Sequence, residues 1–215
     1  MTVLFLQSLL TIIFLTIVFL HISKKDSEAV VAYIIQSLAI GIILFNSYLT
    51  TGDNSLLLVI FLVFAVKVVL APIFFNSLIR KHALTFSVST YLNLPITLII
   101  VAALTFVAYS QKFISLTEIM PGNHALLSLA LSDIFLSLFL IINRKGAFSQ
   151  IIGVLSLENS IVAFMAFAGL EQSSGLQAGI IFNIFVWIII ATVFVSIIHK
   201  HFGSLNVTSM KNLKD

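Results

Sequence analysis

Val3–Ile22 reads VLFLQSLLTIIFLTIVFLHI, and Ser23-Lys24-Lys25-Asp26 follows it at once. No formal charge interrupts the run, and its length is that of an α-helix crossing roughly 30 Å of hydrocarbon. Met1 and Thr2 supply no positive flank, the run exceeds a leader's apolar stretch, and no small-residue cleavage site follows. The segment is therefore expected to be a retained first span.

Working outward, six more apolar runs appear: Ala29–Leu49, Ser55–Phe75, Leu94–Tyr109, Ala125–Ile142, Ile151–Leu170 and Leu176–Ile198. Short polar links separate them, and a polar tail runs from His199 to Asp215. A helix satisfies its own backbone hydrogen bonds in lipid, so helices are the expected form. The alternation of barrel strands is absent. The expected fold is all-α: one polytopic transmembrane domain over residues 1–215, with about seven spans. Composition agrees, since 60% of the 215 residues are hydrophobic and 9% charged. A soluble domain carries roughly 25% charged residues.

The distribution of basic residues sets the expected orientation. Lys24 and Lys25 follow the first run, Arg80 and Lys81 the third, Arg144 and Lys145 the fifth, and Lys200, Lys211 and Lys214 the seventh. Only Lys112 falls on the opposite side, and Lys67 lies inside a run. This alternation predicts an N-terminus outside and a C-terminus in the cytoplasm. Pro72 is expected to kink the third helix and Pro95 to open the fourth. Gln111–His124 is expected along the outer interface.

Three ionisable residues fall within apolar runs: Lys67, Asp133 and Glu158. Each isolated charge at the centre of a span costs about 2.5–3.5 kcal/mol. Such groups persist when they pair, face a hydrated cavity or stay neutral. All three fall at similar depth, so Lys67 has Asp133 and Glu158 as candidate partners. One reading is an ion pair that pins helices together; the other is a proton or cation path. Around Glu158, Gly153, Ser156, Ser160 and Ala163 share one helix face, where small side chains allow close packing. Glu158 points nearly opposite, so protein is expected on both faces. Gln36, Asn46, Gln177 and Asn183 are uncharged polar residues within runs, suited to interhelical hydrogen bonds or to holding water.

The chain contains no cysteine, which excludes disulfides, cysteine-ligated clusters and thiol chemistry. No phosphate loop, dinucleotide fingerprint or paired-histidine zinc motif occurs. The five histidines are scattered, and nothing marks nucleic-acid binding. No catalytic residue, metal site or cofactor is expected, and the chain is not expected to be an enzyme by itself.

The stretch Asn143-Arg144-Lys145-Gly146-Ala147-Phe148-Ser149-Gln150-Ile151-Ile152-Gly153-Val154-Leu155-Ser156-Leu157-Glu158-Asn159-Ser160 resembles the membrane component E of hydrogenase-4. There a basic loop leads into a helix with a Gly-x-x-x-Leu-Glu-Asn core. The tail Gly203-Ser204-Leu205-Asn206-Val207-Thr208, and a lysine before a proline in the third helix (Lys67, Pro72), are similar to that family too. The last helices also resemble the K subunit of respiratory complex I and the C subunit of multi-subunit sodium/proton antiporters. The resemblance implies a small cofactor-free subunit between larger antiporter-like membrane subunits, with a hydrogenase or other peripheral module as a further partner. The expected location is a bacterial or archaeal cytoplasmic membrane.

Glu158 matches the family's glutamate on its intramembrane hydrophilic axis. With Lys67, Asp133, Gln177 and Asn183, it forms the expected ion path. The final run departs from the pattern: Gln177 and Asn183 stand where relatives carry acids, and an amide cannot hold a proton at neutral pH. Asp133 has no counterpart in the pattern. A hydrogenase-free antiporter-like module, such as one serving inorganic-carbon uptake, and a stand-alone small transporter remain the alternatives.

Overall fold

The computed structural model describes residues 3–81, 89–113 and 124–168, together with positions 189 and 193. Gln177, Asn183, the polar tail and all but two positions of the seventh apolar run lie outside the described residues. Within them the chain is helical, without a β-strand. The helices are α1 (Val3–Ile22), α2 (Asp26–Thr51), α3 (Ser55–Leu62), α4 (Ala71–Lys81), α5 (Leu94–Ala108), α6 (His124–Asn143) and α7 (Ala147–Phe167). A π-helical segment, Val63–Leu70, joins α3 to α4 without a break. Five stretches are long and apolar enough to cross a bilayer: α1, α2, the continuous α3–α4 rod, α6 and α7. α5 has 15 residues, about 22 Å by helical rise, which is less than the hydrocarbon thickness.

Polarity is inverted relative to a soluble bundle. Leu15, Leu58, Phe61, Ile99, Phe106 and Ile142 are exposed, while Gln36, Ser37, Lys67, Ser132, Asp133, Ser137, Ser156, Asn159 and Ser160 are buried. An outer surface of large apolar side chains over a polar interior suits a hydrocarbon solvent.

Local signals explain where the helices stop. Gly52 ends α2 at φ 68°, and its N–H bonds the Tyr48 carbonyl at 2.8 Å. Glycine adopts this left-handed conformation without a Cβ clash. Asn93 caps α5, its Oδ1 accepting from the Ile96 N–H at 3.1 Å, with Pro95 in the first turn as expected. At Pro72 the third helix continues, and the segment before it widens: the Ala71 N–H reaches back five residues to Val66. Proline removes a donor from the helical ladder, and a π turn is one way the neighbouring carbonyls are re-satisfied. This segment packs on α2 at Gly41, where a Cβ would stand 2.9 Å from the Phe64 ring.

The core is a ring of four helices in which α1 packs on α2, α2 on α7, α7 on α6 and α6 on α1. The α3–α4 rod lies against α2, and α5 lies against α6. One end of the ring is fastened by polar groups. Both terminal nitrogens of Arg144 donate to the Ser23 carbonyl at 3.1 Å. Ser149 Oγ donates to Asp26 Oδ1 at 3.1 Å, and His21 Nε2 meets the Leu136 carbonyl at 3.1 Å. Counting basic loop residues treats Arg144 as a surface charge, but it is buried here. Burial draws its guanidinium down to about 10, with Asp26 opposing; it stays cationic at neutral pH. Asn143 bonds Tyr91, Leu92 and Thr97, which ties the start of α5 to the end of α6.

Candidate functional site

Lys67 projects from the middle of the π-helical segment into the seam between α2 and α7. A chain entering a π turn rotates relative to a straight α-helix, so the direction of Lys67 depends on that turn. π turns of this kind recur at functional sites. Lys67 Nζ stands 3.0 Å from Glu158 Oε1 and donates to Asn159 Oδ1 at 2.8 Å. Glu158 and Asn159 are neighbours about 100° apart on α7, and the long lysine stem lets one ammonium meet both. Asn159 Nδ2 reaches Ser37 Oγ on α2 at 3.5 Å. The fully buried Tyr33 phenol lies within reach of Ser37 and Glu158.

Of the two candidate partners, Glu158 is the one that meets Lys67. An ammonium and a carboxylate removed from water each carry a desolvation cost of several kcal/mol. Contact at 3.0 Å and the extra bond to Asn159 offset much of it. Polar capacity nevertheless exceeds what this pair uses. Both amide atoms of Gln36 and the Ser156 hydroxyl are buried without a protein partner among the described residues. Such groups in a core are ordinarily served by internal water.

The small face of α7 is buried as expected, at Gly153, Ser156, Ser160 and Ala163. A Cβ on Gly153 would lie 2.9 Å from Ile141 Cγ1 and 3.3 Å from the Ile141 backbone nitrogen, so glycine permits the α6–α7 contact. One turn on, Ser137 Oγ of α6 and Ser160 Oγ of α7 are 3.3 Å apart. Asp133 does not join the Lys67 pair. It is wholly buried on α6, and neither carboxyl oxygen has a protein partner among the described residues.

Ser37, Tyr33 and Ser137 belong to the site but carry no mark in the sequence, and Asn159 stood there only as the last residue of the Gly-x-x-x-Leu-Glu-Asn core, without a role. A serine or tyrosine in a span carries no mark of which helix it faces. Among the described residues no group of three or more histidine, aspartate or glutamate side chains is placed to hold a metal ion. No family model matches the chain, and no curated protein or solved structure matches it.

Proposed function

We propose that this chain is a small, non-catalytic membrane subunit of an ion-translocating complex of the hydrogenase-4 or complex I type. In this reading it crosses a bacterial or archaeal cytoplasmic membrane about seven times, with its N-terminus outside and its C-terminus in the cytoplasm. It carries no cofactor and contributes intramembrane polar groups to a proton or cation path between larger antiporter-like subunits.

One observation carries the reading: a lysine–glutamate pair held mid-helix at 3.0 Å, inside a bundle whose outer surface is hydrocarbon-like. Buried hydroxyl and amide groups with unused hydrogen-bonding capacity, among them Gln36 and Ser156, lie in the same bundle interior. A pair that served only to pin helices often gains nothing over two apolar side chains of similar volume. Intramembrane ionisable pairs that persist despite that cost are characteristic of ion pathways.

A solitary transporter needs a substrate cavity at the charged residues. A cavity of about 580 Å³ lies between α1 and α2, lined by groups such as Ile12, Leu15, Phe19 and Val31, and Lys67 and Asp133 are not among its lining residues.

The test is isolation of the chain from its native membrane with whatever accompanies it, followed by ion flux in vesicles holding the complex. Co-purification with antiporter-like subunits, and loss of flux in Glu158→Gln, are expected. A hydrogenase among the partners would assign the redox module; an inorganic-carbon uptake protein would assign the alternative. Recovery as a stable monomer that moves ions alone would overturn the proposal.

A further inference from the structure

The cavity between α1 and α2 is a furrow on the outer face of the bundle. Two small side chains make it. Thr16 of α1 and Ala32 of α2 lie along it, and the larger Leu15, Phe19, Val31 and Ile35 stand exposed at its sides. The Thr16 hydroxyl is turned onto its own helix, donating to the Ile13 carbonyl at 2.7 Å, so the interior of the furrow is apolar. An apolar furrow in hydrocarbon is filled by an apolar chain, since an empty one forfeits the contacts of its lining.

The length and the two ends of the furrow say which chain. On α2 it covers positions 27–35, about 12 Å by helical rise, close to one leaflet's half of a roughly 30 Å core. Among the described residues its lining ends at Ile12 and Ile35, although α1 continues to Val3 and α2 to Thr51. A partner helix crossing the whole bilayer needs a seam along the full span, whereas an acyl chain needs one leaflet. The opposite end, beside the link Ser23-Lys24-Lys25, is polar. Ser27 and Glu28 form it. Glu28 Oε1 meets Lys25 Nζ at 3.4 Å, and Glu28 Oε2 accepts from Ser23 Oγ at 2.7 Å. Asp26 turns inward to Ser149. Glu28 thus offsets Lys25, and the exposed Lys24 leaves this mouth with one net positive charge. An anionic phosphate at headgroup depth complements that charge.

We propose that the furrow is a lipid site: it seats one acyl chain of an anionic phospholipid, whose phosphate meets Lys24 and Lys25 at the α1–α2 link. The site stands on the hydrocarbon-facing surface and on this mouth, and it is independent of any ion path.

Photolabelling of the full chain in phosphatidylcholine vesicles tests this. The probe is a trace of phosphatidylglycerol carrying a diazirine halfway along one acyl chain, and attached label is mapped by mass spectrometry. The same diazirine chain on phosphatidylcholine controls for the headgroup. The exposed Ile99 and Phe106 of α5 report bulk lipid contact. Furrow labelling by phosphatidylglycerol is expected to exceed both references. Lys24→Gln, at an exposed position, is expected to lower it about fivefold, the factor of one lysine beside an anionic headgroup. Thr16→Phe fills the furrow from a partly exposed position and is expected to abolish the labelling, with an unchanged helical circular-dichroism signal. Equal labelling by the two headgroups, furrow labelling no higher than at Ile99 and Phe106, wild-type labelling in Lys24→Gln, or full labelling in Thr16→Phe would each overturn the proposal. A cross-link from the furrow to a second copy of the chain or to a partner helix in native membranes would overturn it too, because a protein segment would then be the occupant. None of these measurements reads ion flux, so this proposal and the ion-path reading fail separately.

Discussion

Lys67 and Glu158 meet at 3.0 Å with unequal access to the outside: the lysine side chain is 1% exposed and the glutamate 17%. The ammonium is enclosed by α2, α7 and its own π turn, while part of the glutamate side chain reaches the bundle surface.

Removing one member should cost far more than removing both. Glu158→Gln leaves the Lys67 ammonium buried without a counter-charge, and an expected loss of about 3–5 kcal/mol follows from breaking a buried pair. The double variant Lys67→Met with Glu158→Gln should recover most of that loss. Unfolding of Glu158→Gln, Lys67→Met and the double variant in the same lipid–detergent mixture gives the coupling directly. A double variant no more stable than Glu158→Gln alone would count against a buried pair.

The polar clamp at the α1–α2 and α6–α7 links should depend on the shape of Arg144 as well as its charge. Arg144→Gln loses two charge-assisted bonds to the Ser23 carbonyl, an expected cost of about 2–3 kcal/mol. Arg144→Lys restores charge without the planar fork and should recover only part of it. Thermal unfolding of both variants reads the difference. Equal stability of Arg144→Lys and wild type would show that charge alone suffices.

At Gly153 even one methyl is expected to be felt. Gly153→Ala drives a Cβ against Ile141, with an expected destabilisation of about 1–3 kcal/mol from overpacking. Shortening the neighbour in Gly153→Ala with Ile141→Val should relieve part of this. Full relief is not expected, because the Ile141 backbone nitrogen also lies within 3.3 Å of the added carbon. Unfolding midpoints of the single and double variants measure both effects.

Asp133→Asn should change stability by less than about 1 kcal/mol, because no charge-assisted bond is removed. The substitution exchanges one side chain for another of nearly the same shape. Unfolding in lipid is again the measurement. A loss as large as that of Glu158→Gln would mean that Asp133 is ionised and paired.

Much of the helical layout was legible in the chain itself. The apolar runs from Val3, Ser55, Leu94, Ala125 and Ile151 lie within a few residues of the observed helix starts, because a run long enough for the hydrocarbon core has few other ways to satisfy its backbone. Pro95 and Asn93 opened α5 by local chemistry. Pro72 marked where the helical ladder is interrupted but not that a π turn repairs it, because a missing N–H shows the gap and not how it is closed. Glu158 and Lys67 stood out because charge within apolar sequence is costly wherever the helices go.

Sequence alone settled that charge lies within long apolar segments and that small residues line one face of α7, since both follow from transfer energies and helical period. Tertiary structure decided the rest: that Lys67 takes Glu158 and not Asp133, that Asn159, Ser37 and Ser137 complete the polar layer, and that Arg144 turns inward. The physical reason is directional. Partner choice depends on helix rotation and on the π turn at Val63–Leu70, and those angles are set by packing between helices, to which residue types along one strand of chain are blind.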